Sequence, residues 1–414
     1  MKTIKTIALA GTSILSLSLY STSTQAAGFY IQEQSVSGLG NAFAGQVATP
    51  RDSSIVYFNP AGMTHLKGTN ANIGVHVIAP SSDMTNNGSI IPLAGATGGD
   101  GGNPYDPTPI PNGSISHEAI EDTLWLGLVV SAPFGLGSDY GQEWFGRYDS
   151  TKTHLKTIEV TPSFAYKVNN ALSIGGGISY QHADATLENM INVGTGDTVA
   201  QLKGDDQSFG WNVGLLYEPI EGTLIGAHYR SNVDHDLEGF LTAPTGVFAA
   251  TAELDLPNIA QIGINQRIND KWSVQAGATW FGWNSFDNIS AVSAANTQLS
   301  RTEQNYQSTW AFAVGGEYKM DEKWTFRAGY QFDETPTTNE YRTSRTPDGD
   351  RHWFAAGTTY TINDKMSLDF AATYIDVAKE TINVTRNVTA APATVRANTD
   401  GYVGIMAVGL NYKF

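Results

Sequence analysis

The sequence predicts an all-β protein, a 14-stranded antiparallel transmembrane β-barrel with a small N-terminal hatch inside its lumen. Three observations carry this: long runs of alternating apolar and polar residues, two classes of connection that differ in length, and a final strand ending on an aromatic residue. From Phe209 the chain reads FGWNVGLLY, so Phe209, Trp211, Val213, Leu215 and Tyr217 share one face and Gly210, Asn212 and Gly214 the other. The same beat sets Trp324, Phe326, Ala328, Tyr330 and Phe332 against Thr325, Arg327, Gly329, Gln331 and Asp333. Many runs reach the roughly ten residues that a tilted membrane strand needs, where a secreted sandwich would average about five or six. Aromatics near run ends, such as Trp272, Trp280, Trp310 and Tyr318, suit interfacial girdles.

In chain order, Lys2 and Lys5 precede a short apolar run from Ile7 to Leu19 and the small residues Thr24 and Ala26. This reads as a secretory signal peptide over residues 1–26, too short to span a membrane. Residues 27–68 are irregular and carry Gly38, Gly40, Gly45 and the corner Asn59, Pro60, Ala61, Gly62. Proline fixes φ and offers no donor, so this corner ends a strand rather than continuing one. A lumen as wide as fourteen strands enclose is not filled by its own side chains, and a compact segment of about forty residues is the right object to plug it.

Residues 69–414 form the barrel. Strands are expected near 69–79, 109–119, 123–133, 154–167, 170–187, 206–218, 222–239, 251–268, 271–287, 306–319, 323–334, 351–361, 365–379 and 400–414, with Pro109 and Pro111 crowding the second. Short polar turns join them on one rim, the tetrad Ile-Asn-Asp-Lys occurring at both Ile268 and Ile362. Long loops rich in Gly, Pro, Asn and Thr, near 80–108, 134–153, 188–205, 240–250, 288–305, 335–350 and 380–399, close the other rim. Short inner turns and long outer loops are the pattern of an outer-membrane barrel. The last strand aligns Tyr402, Gly404, Met406, Val408, Leu410, Tyr412 and Phe414 on one face, resembling the C-terminal signature that barrel-insertion machinery reads in bacterial outer-membrane proteins.

Composition excludes several function classes. With 24 Lys and Arg against 40 Asp and Glu the formal charge is −16, and loss of Lys2 and Lys5 with the signal takes it to −18, which argues against a nucleic-acid partner. Zero cysteines exclude disulfides, thiolate metal sites and cysteine nucleophiles. His117 with Glu118 and His182 with Asp184 lack a third ligand at useful spacing, so no metal or cofactor is expected. The Gly and Asp stretch from Gly98 to Asp106 lacks calcium-loop spacing. No nucleophile motif supports an outer-membrane hydrolase, and a general porin would lack the plug.

The stretches GFYIQEQSVSGLGNAFAGQVA, EWFGRY, THLKTIEVTPSFAYKVNNALSIGGGISY, RSNVDHDLEG, LDLPNIAQIGI, KWTFRAGYQFDETP and TPDGDRHWFAAGTTY, together with Asn59-Pro60-Ala61, resemble the FadL family along the whole mature chain. These are outer-membrane long-chain fatty-acid transporters, with TodX-type channels for aromatic hydrocarbons among them. The resemblance implies a monomer set among outer-membrane lipid and lipopolysaccharide, ligand capture in an apolar outer groove, hatch movement, and lateral exit through a kink in the third strand. That kink is expected at Ser131, Ala132, Pro133, Phe134 and Gly135, with Asn59, Pro60 and Ala61 resting against it as the gate.

The ligand stays open between a long-chain fatty acid and an aromatic hydrocarbon such as toluene. The family leads one to expect basic residues near the end of the fifth strand and the start of the tenth. Here stand Leu187-Glu188-Asn189-Met190 and Asn305-Tyr306-Gln307-Ser308. Arg51, His65, Arg327 and Arg351 remain as carboxylate partners, unless lumen acids such as Glu159, Asp333 and Asp369 claim them.

Overall fold

The computed structural model describes residues 28–414 except 92–97, 294, 389 and 390, so the expected signal peptide over 1–26 lies outside the described residues. All strands join one closed sheet. They are β1 (Thr69–Asn86), β2 (Thr108–Ile120), β3 (Leu124–Ser131, resuming as Gly135–Asp139), β4 (Lys152–Lys167), β5 (Leu172–Asn192), β6 (Asp197–Ile220) and β7 (Thr223–Arg230 and Val233–Ala243). The second half comprises β8 (Gly246–Leu256 and Ile259–Arg267), β9 (Trp272–Phe281 and Asn288–Ser293), β10 (Gln298–Glu303 and Thr309–Lys319), β11 (Trp324–Asp333), β12 (Arg351–Asn363), β13 (Met366–Val388) and β14 (Ala391–Lys413). This is the 14-stranded antiparallel barrel, closed by β1 against β14 from Asn70↔Lys413 to Asn86↔Ala397.

Alternation sets the wall. Phe209, Trp211, Val213 and Leu215 all point outward, as do Ile174 and Ile178 on the neighbouring strand, and this greasy band faces the membrane. The short turns are built by side chains: Asn169, Asn269 and Asp321 each accept two backbone N–H groups from residues two and three further on, at 2.8–2.9 Å, and Asn363 accepts from Lys365. Lower-rim aromatics stack across strands, Trp272 on Tyr318 at 4.5 Å and Trp324 on Tyr360 at 4.7 Å.

Four expected loops are largely strand instead: in 240–250 Phe240–Ala243 pairs with Gly246–Ala249, and in 288–305 Asn288–Val292 pairs with Gln298–Glu303. β5 and β6 stay paired from Leu172↔Tyr217 out to Asn192↔Asp197, and β13 and β14 pair out to Val388↔Ala391, so 188–205 and 380–399 form hairpins. Their Gly, Asn and Thr content resembles loop sequence, yet a paired ladder satisfies the backbone whatever the side chains. β2 is regular despite Pro109 and Pro111. Its pairing with β3 begins only at Gly113↔Val130, which leaves an unpartnered edge where missing donors cost nothing.

The N-terminal segment fills the lumen, buried from Gly28 to Thr49 and from Asp52 to Met63. Its helical pieces are α1 (Val36–Leu39), capped by Ser35 accepting from Gly38 N at 3.0 Å, and α2 (Ile55–Phe58), followed by a 3-10 turn over Pro60–His65. Pieces this short have little intrinsic stability, so the wall must hold them. Apolar side chains meet Trp125, Val129 and Trp353 through Val56, Met63 and Leu39, each burial contributing on the order of 2 kcal/mol. Elsewhere backbone meets backbone. A Cβ on Gly175 would lie 2.6 Å from Ala61 N, one on Gly357 2.7 Å from Gly40 Cα, and one on Gly263 2.9 Å from Gly45 Cα; Gly226 and Gly329 press still closer on the Val47 and Asn41 carbonyls. Glycines on at least five strands thus form a seat that side chains would obstruct.

Gly329→Leu is therefore expected to leave a heat-modifiable, folded barrel whose hatch cannot seat, read as large single-channel conductance in planar bilayers. Gly404→Ala, whose Cβ would meet only Ala79 O at 4.0 Å, should keep the closed state of the wild type.

Candidate functional site

The wall is interrupted at its third strand. β3 stops at Ser131, and Ala132, Pro133 and Phe134 carry no strand before it resumes at Gly135. The resumed piece pairs only with β4, and Thr108–Asn112 of β2 has β1 on one side and no strand on the other. A lateral gap results, lined by Ile110, Val130, Ala132, Phe134 and Ile158.

The start of the hatch closes this gap from inside. Ile31 N–H donates to Pro133 O at 2.7 Å and Gly135 N–H to Phe29 O at 2.9 Å, so Phe29 to Ile31 add a fragment of strand to the broken one. Gln34 Nε2 donates to Ala132 O at 3.1 Å. Upstream, Gly28 N–H donates to Asp348 Oδ2 at 2.9 Å. Gly28 lies at φ +66°, and a Cβ there would sit 2.6 Å from the Trp283 ring, so only glycine suits the position.

Above the hatch lies an apolar cavity walled by Leu136, Leu155, Leu187, Leu202, Leu237, Leu254 and Phe286, with Gln304, Tyr306, Arg345 and Thr346 among its polar lining. Phe29 belongs to both places. It lines the cavity and stands 6.2 Å from the Phe134 ring at the gap, with Trp283 at 4.7 Å and Phe286 at 5.1 Å. Leu187 and Tyr306, from the two segments where basic residues were expected, both reach the cavity, and neither brings a positive charge.

The Asn59-Pro60-Ala61 corner lies elsewhere than expected. Asn59 Oδ1 accepts from Ala61 N at 3.1 Å, while its Nδ2 donates to Val47 O at 2.7 Å and to Leu215 O at 3.0 Å. It thus ties the hatch to β6, beside Gly175 and Gly214, because one carboxamide nitrogen there donates to a hatch carbonyl and a wall carbonyl at once. Met63, not the corner, reaches β3 at Gly127.

The cations named from sequence lie below or beside the cavity. Arg51 and Arg327 share Glu317 at 2.9 and 2.7 Å, Arg351 pairs with Asp348, and His65 is exposed at the lower rim. Of the acids, Glu159 pairs with Arg230, whose guanidinium stacks 4.6 Å over the Tyr57 ring of the hatch, and Asp369 lies 3.7 Å from Arg327. Among the described residues no His, Asp or Glu cluster could hold a metal.

Sequence reasoning missed Phe29, Ile31, Gln34, Gln304 and Arg345. The alternation in GFYIQEQ is a weak strand signal that could have marked the first three. A lone arginine in a Thr- and Ser-rich loop carries none.

A closed, plugged barrel with an apolar chamber and a gap in its wall is an outer-membrane transport protein by construction. The chain belongs to the outer membrane protein transport protein family (OMPP1/FadL/TodX), whose model matches residues 17–414. It is similar to the long-chain fatty acid transport protein of Escherichia coli O6:H1, 27% identical with 97% of each chain covered, and to outer membrane protein P1 of Haemophilus influenzae Rd, 28% identical over 94% of this chain and 95% of that one. The crystal structure of a Pseudomonas aeruginosa FadL homologue superposes with a TM-score of 0.88 at 25% identity, covering 94% of this chain and all of that one. The Pseudomonas putida toluene transporter TodX shares the fold, with a TM-score of 0.65 at 15% identity over 87% of this chain and 94% of that one.

Glu33 lies in the strap between Ile31 and α1, fully buried with Oε2 unbonded among the described residues. Burial pushes its carboxyl up to about 7, against the pull of backbone N–H groups and Arg351. A raised acid pKa favours the folded strap below about pH 4.5, and that advantage is lost as pH rises through 7, by at most on the order of 3 kcal/mol. Hydrogen-exchange protection of residues 29–35, taken relative to the intrinsic rate at each pH, is expected to fall between pH 5 and 7.5, and Glu33→Gln to remove most of that fall.

Proposed function

We propose that this protein carries hydrophobic molecules, long-chain fatty acids first, from outside the cell into the outer membrane. The ligand enters from the outer loops, occupies the apolar cavity, and leaves sideways through the gap between β2 and β3 once the strap at Phe29 to Gln34 withdraws. One observation carries the reading: Phe29 lines the cavity and its carbonyl bonds the kinked strand, so a ligand that displaces the ring disturbs the closure of the gap. Driving force comes from affinity and downhill diffusion, since lipopolysaccharide is a poor solvent for greasy molecules and a water-filled pore offers them no binding energy.

Aromatic hydrocarbons form the second reading, favoured by the leucine-rich cavity and by the segments at 187–190 and 305–308 that lack Lys and Arg. In either case the barrel acts as a monomer within lipid and lipopolysaccharide, and Phe414 serves its insertion. The Asn59-Pro60-Ala61 corner acts as the anchor against which the strap moves.

The native chain has no cysteine, so a disulfide lock is clean. Tyr30 and Phe134 are bridged partners across the gap, at the Cα separation that antiparallel pairs share with disulfides. Tyr30→Cys/Phe134→Cys, oxidised in cells lacking their own hydrophobic channel, is expected to stop uptake of labelled oleate and toluene, and reductant to restore it. Full uptake by the oxidised, cross-linked barrel would exclude exit past the strap.

A further inference from the structure

We propose that Arg345 is the carboxylate partner of the apolar cavity, so that the cavity takes a fatty acid as its anion in preference to an uncharged hydrocarbon. This rests on the cavity being the transported ligand's site, as argued above. It reverses what the segments at 187–190 and 305–308 suggest, because the basic group arrives from a different element.

Arg345 sits on the loop between β11 and β12, buried, and lines the cavity. Its Nη1 donates to Ser150 Oγ at 3.2 Å, Lys152 O at 3.1 Å and Thr153 Oγ1 at 3.3 Å, and its Nη2 to Glu188 O at 3.2 Å. Every one of these acceptors is neutral. The nearby Asp149 is committed elsewhere, to Arg386 at 2.6 Å and to the Ser344 backbone at 2.7 Å. The pairs found at Arg51, Arg327 and Arg351 thus have no counterpart here. Desolvation lowers the guanidinium to about 10 against the more distant pull of Asp149, and at neutral pH it still carries its charge.

A buried cation whose hydrogen bonds all go to neutral acceptors, with Asp149 acting on it only from a distance, is costly. An anion in an apolar chamber supplies what is missing, through charge-assisted hydrogen bonds. A second unfilled donor faces the same chamber: Gln304 Nε2 is buried and has no partner among the described residues. One carboxylate at the polar wall, with its hydrocarbon tail along Leu136, Leu155, Leu237 and Leu254, uses both the charge and the grease.

The test compares oleate with methyl oleate, which keeps the tail and loses the charge, on the purified full-length barrel in detergent. Wild type is expected to prefer oleate, and Arg345→Met to weaken oleate about tenfold or more while leaving methyl oleate within about twofold. Arg345→Lys should recover part of the preference. An oleate-to-methyl-oleate ratio unchanged in Arg345→Met overturns the assignment, whatever happens to the absolute affinities. Leu237→Trp, which fills the chamber, separates this from failure of the parent reading. If that variant weakens both ligands while Arg345→Met leaves the ratio intact, the chamber stands and Arg345 is not its carboxylate partner. If Leu237→Trp weakens neither, the chamber is not the site at all.

Discussion

Everything in this molecule follows from the need to satisfy backbone N–H and C=O groups inside hydrocarbon. A sheet does so only by closing on itself, and β1 against β14 completes that ring without disulfides. Closure at fourteen strands leaves a lumen that strand side chains cannot fill, so the chain folds its own first segment into it. That segment is irregular and carries backbone groups of its own. The wall accommodates it with glycine where the two backbones touch and with Asn59 where carbonyls need donors. The proposed lateral exit needs one place where the rule of closure is relaxed, and the break at Ala132, Pro133 and Phe134 offers it.

Period-2 alternation made the wall legible in sequence, because each strand has a lipid face and a lumen face that differ in chemistry. The Asn and Asp turns were legible for a similar reason: the side chain that marks the turn is the one that bonds it. The outer hairpins at 188–205 and 380–399 were not, because ladder pairing above the membrane owes nothing to greasy alternation. Their partners are chosen by strands already registered below. The kink itself was expected from the family resemblance, and proline chemistry placed it at Ser131 to Gly135. The occupant of the kink was not, since Phe29 and Ile31 reach it across a fold that only the closed barrel creates.

The corner at Asn59 shows the same limit at finer scale. Its sequence announces a capped turn, and Oδ1 on Ala61 N is that cap. Its role as a strut to β6 depends on Gly214 lying opposite, which no local pattern encodes. Arg345 is the extreme case. Its residue type is common and its neighbours are Ser, Thr and Pro, and what singles it out is that, once two loops have closed over the lumen, all its hydrogen bonds go to neutral acceptors.

These contacts also decide which way a bound molecule can leave. Moving straight through to the periplasm means unseating the hatch from its glycines, lifting Tyr57 from beneath Arg230 and separating Arg51 from Glu317, and breaking that largely buried pair costs about 3–5 kcal/mol. Leaving sideways means releasing two backbone hydrogen bonds and the Gln34 amide, at about 1 kcal/mol apiece, with Phe29 turning between one apolar surface and another. The lateral route's lining of Ile110, Val130 and Phe134 also matches a greasy cargo where the hatch's charged floor does not. In the proposed exit the first few residues of the hatch open while the rest stays seated, because the strap and the seat are held by different interactions.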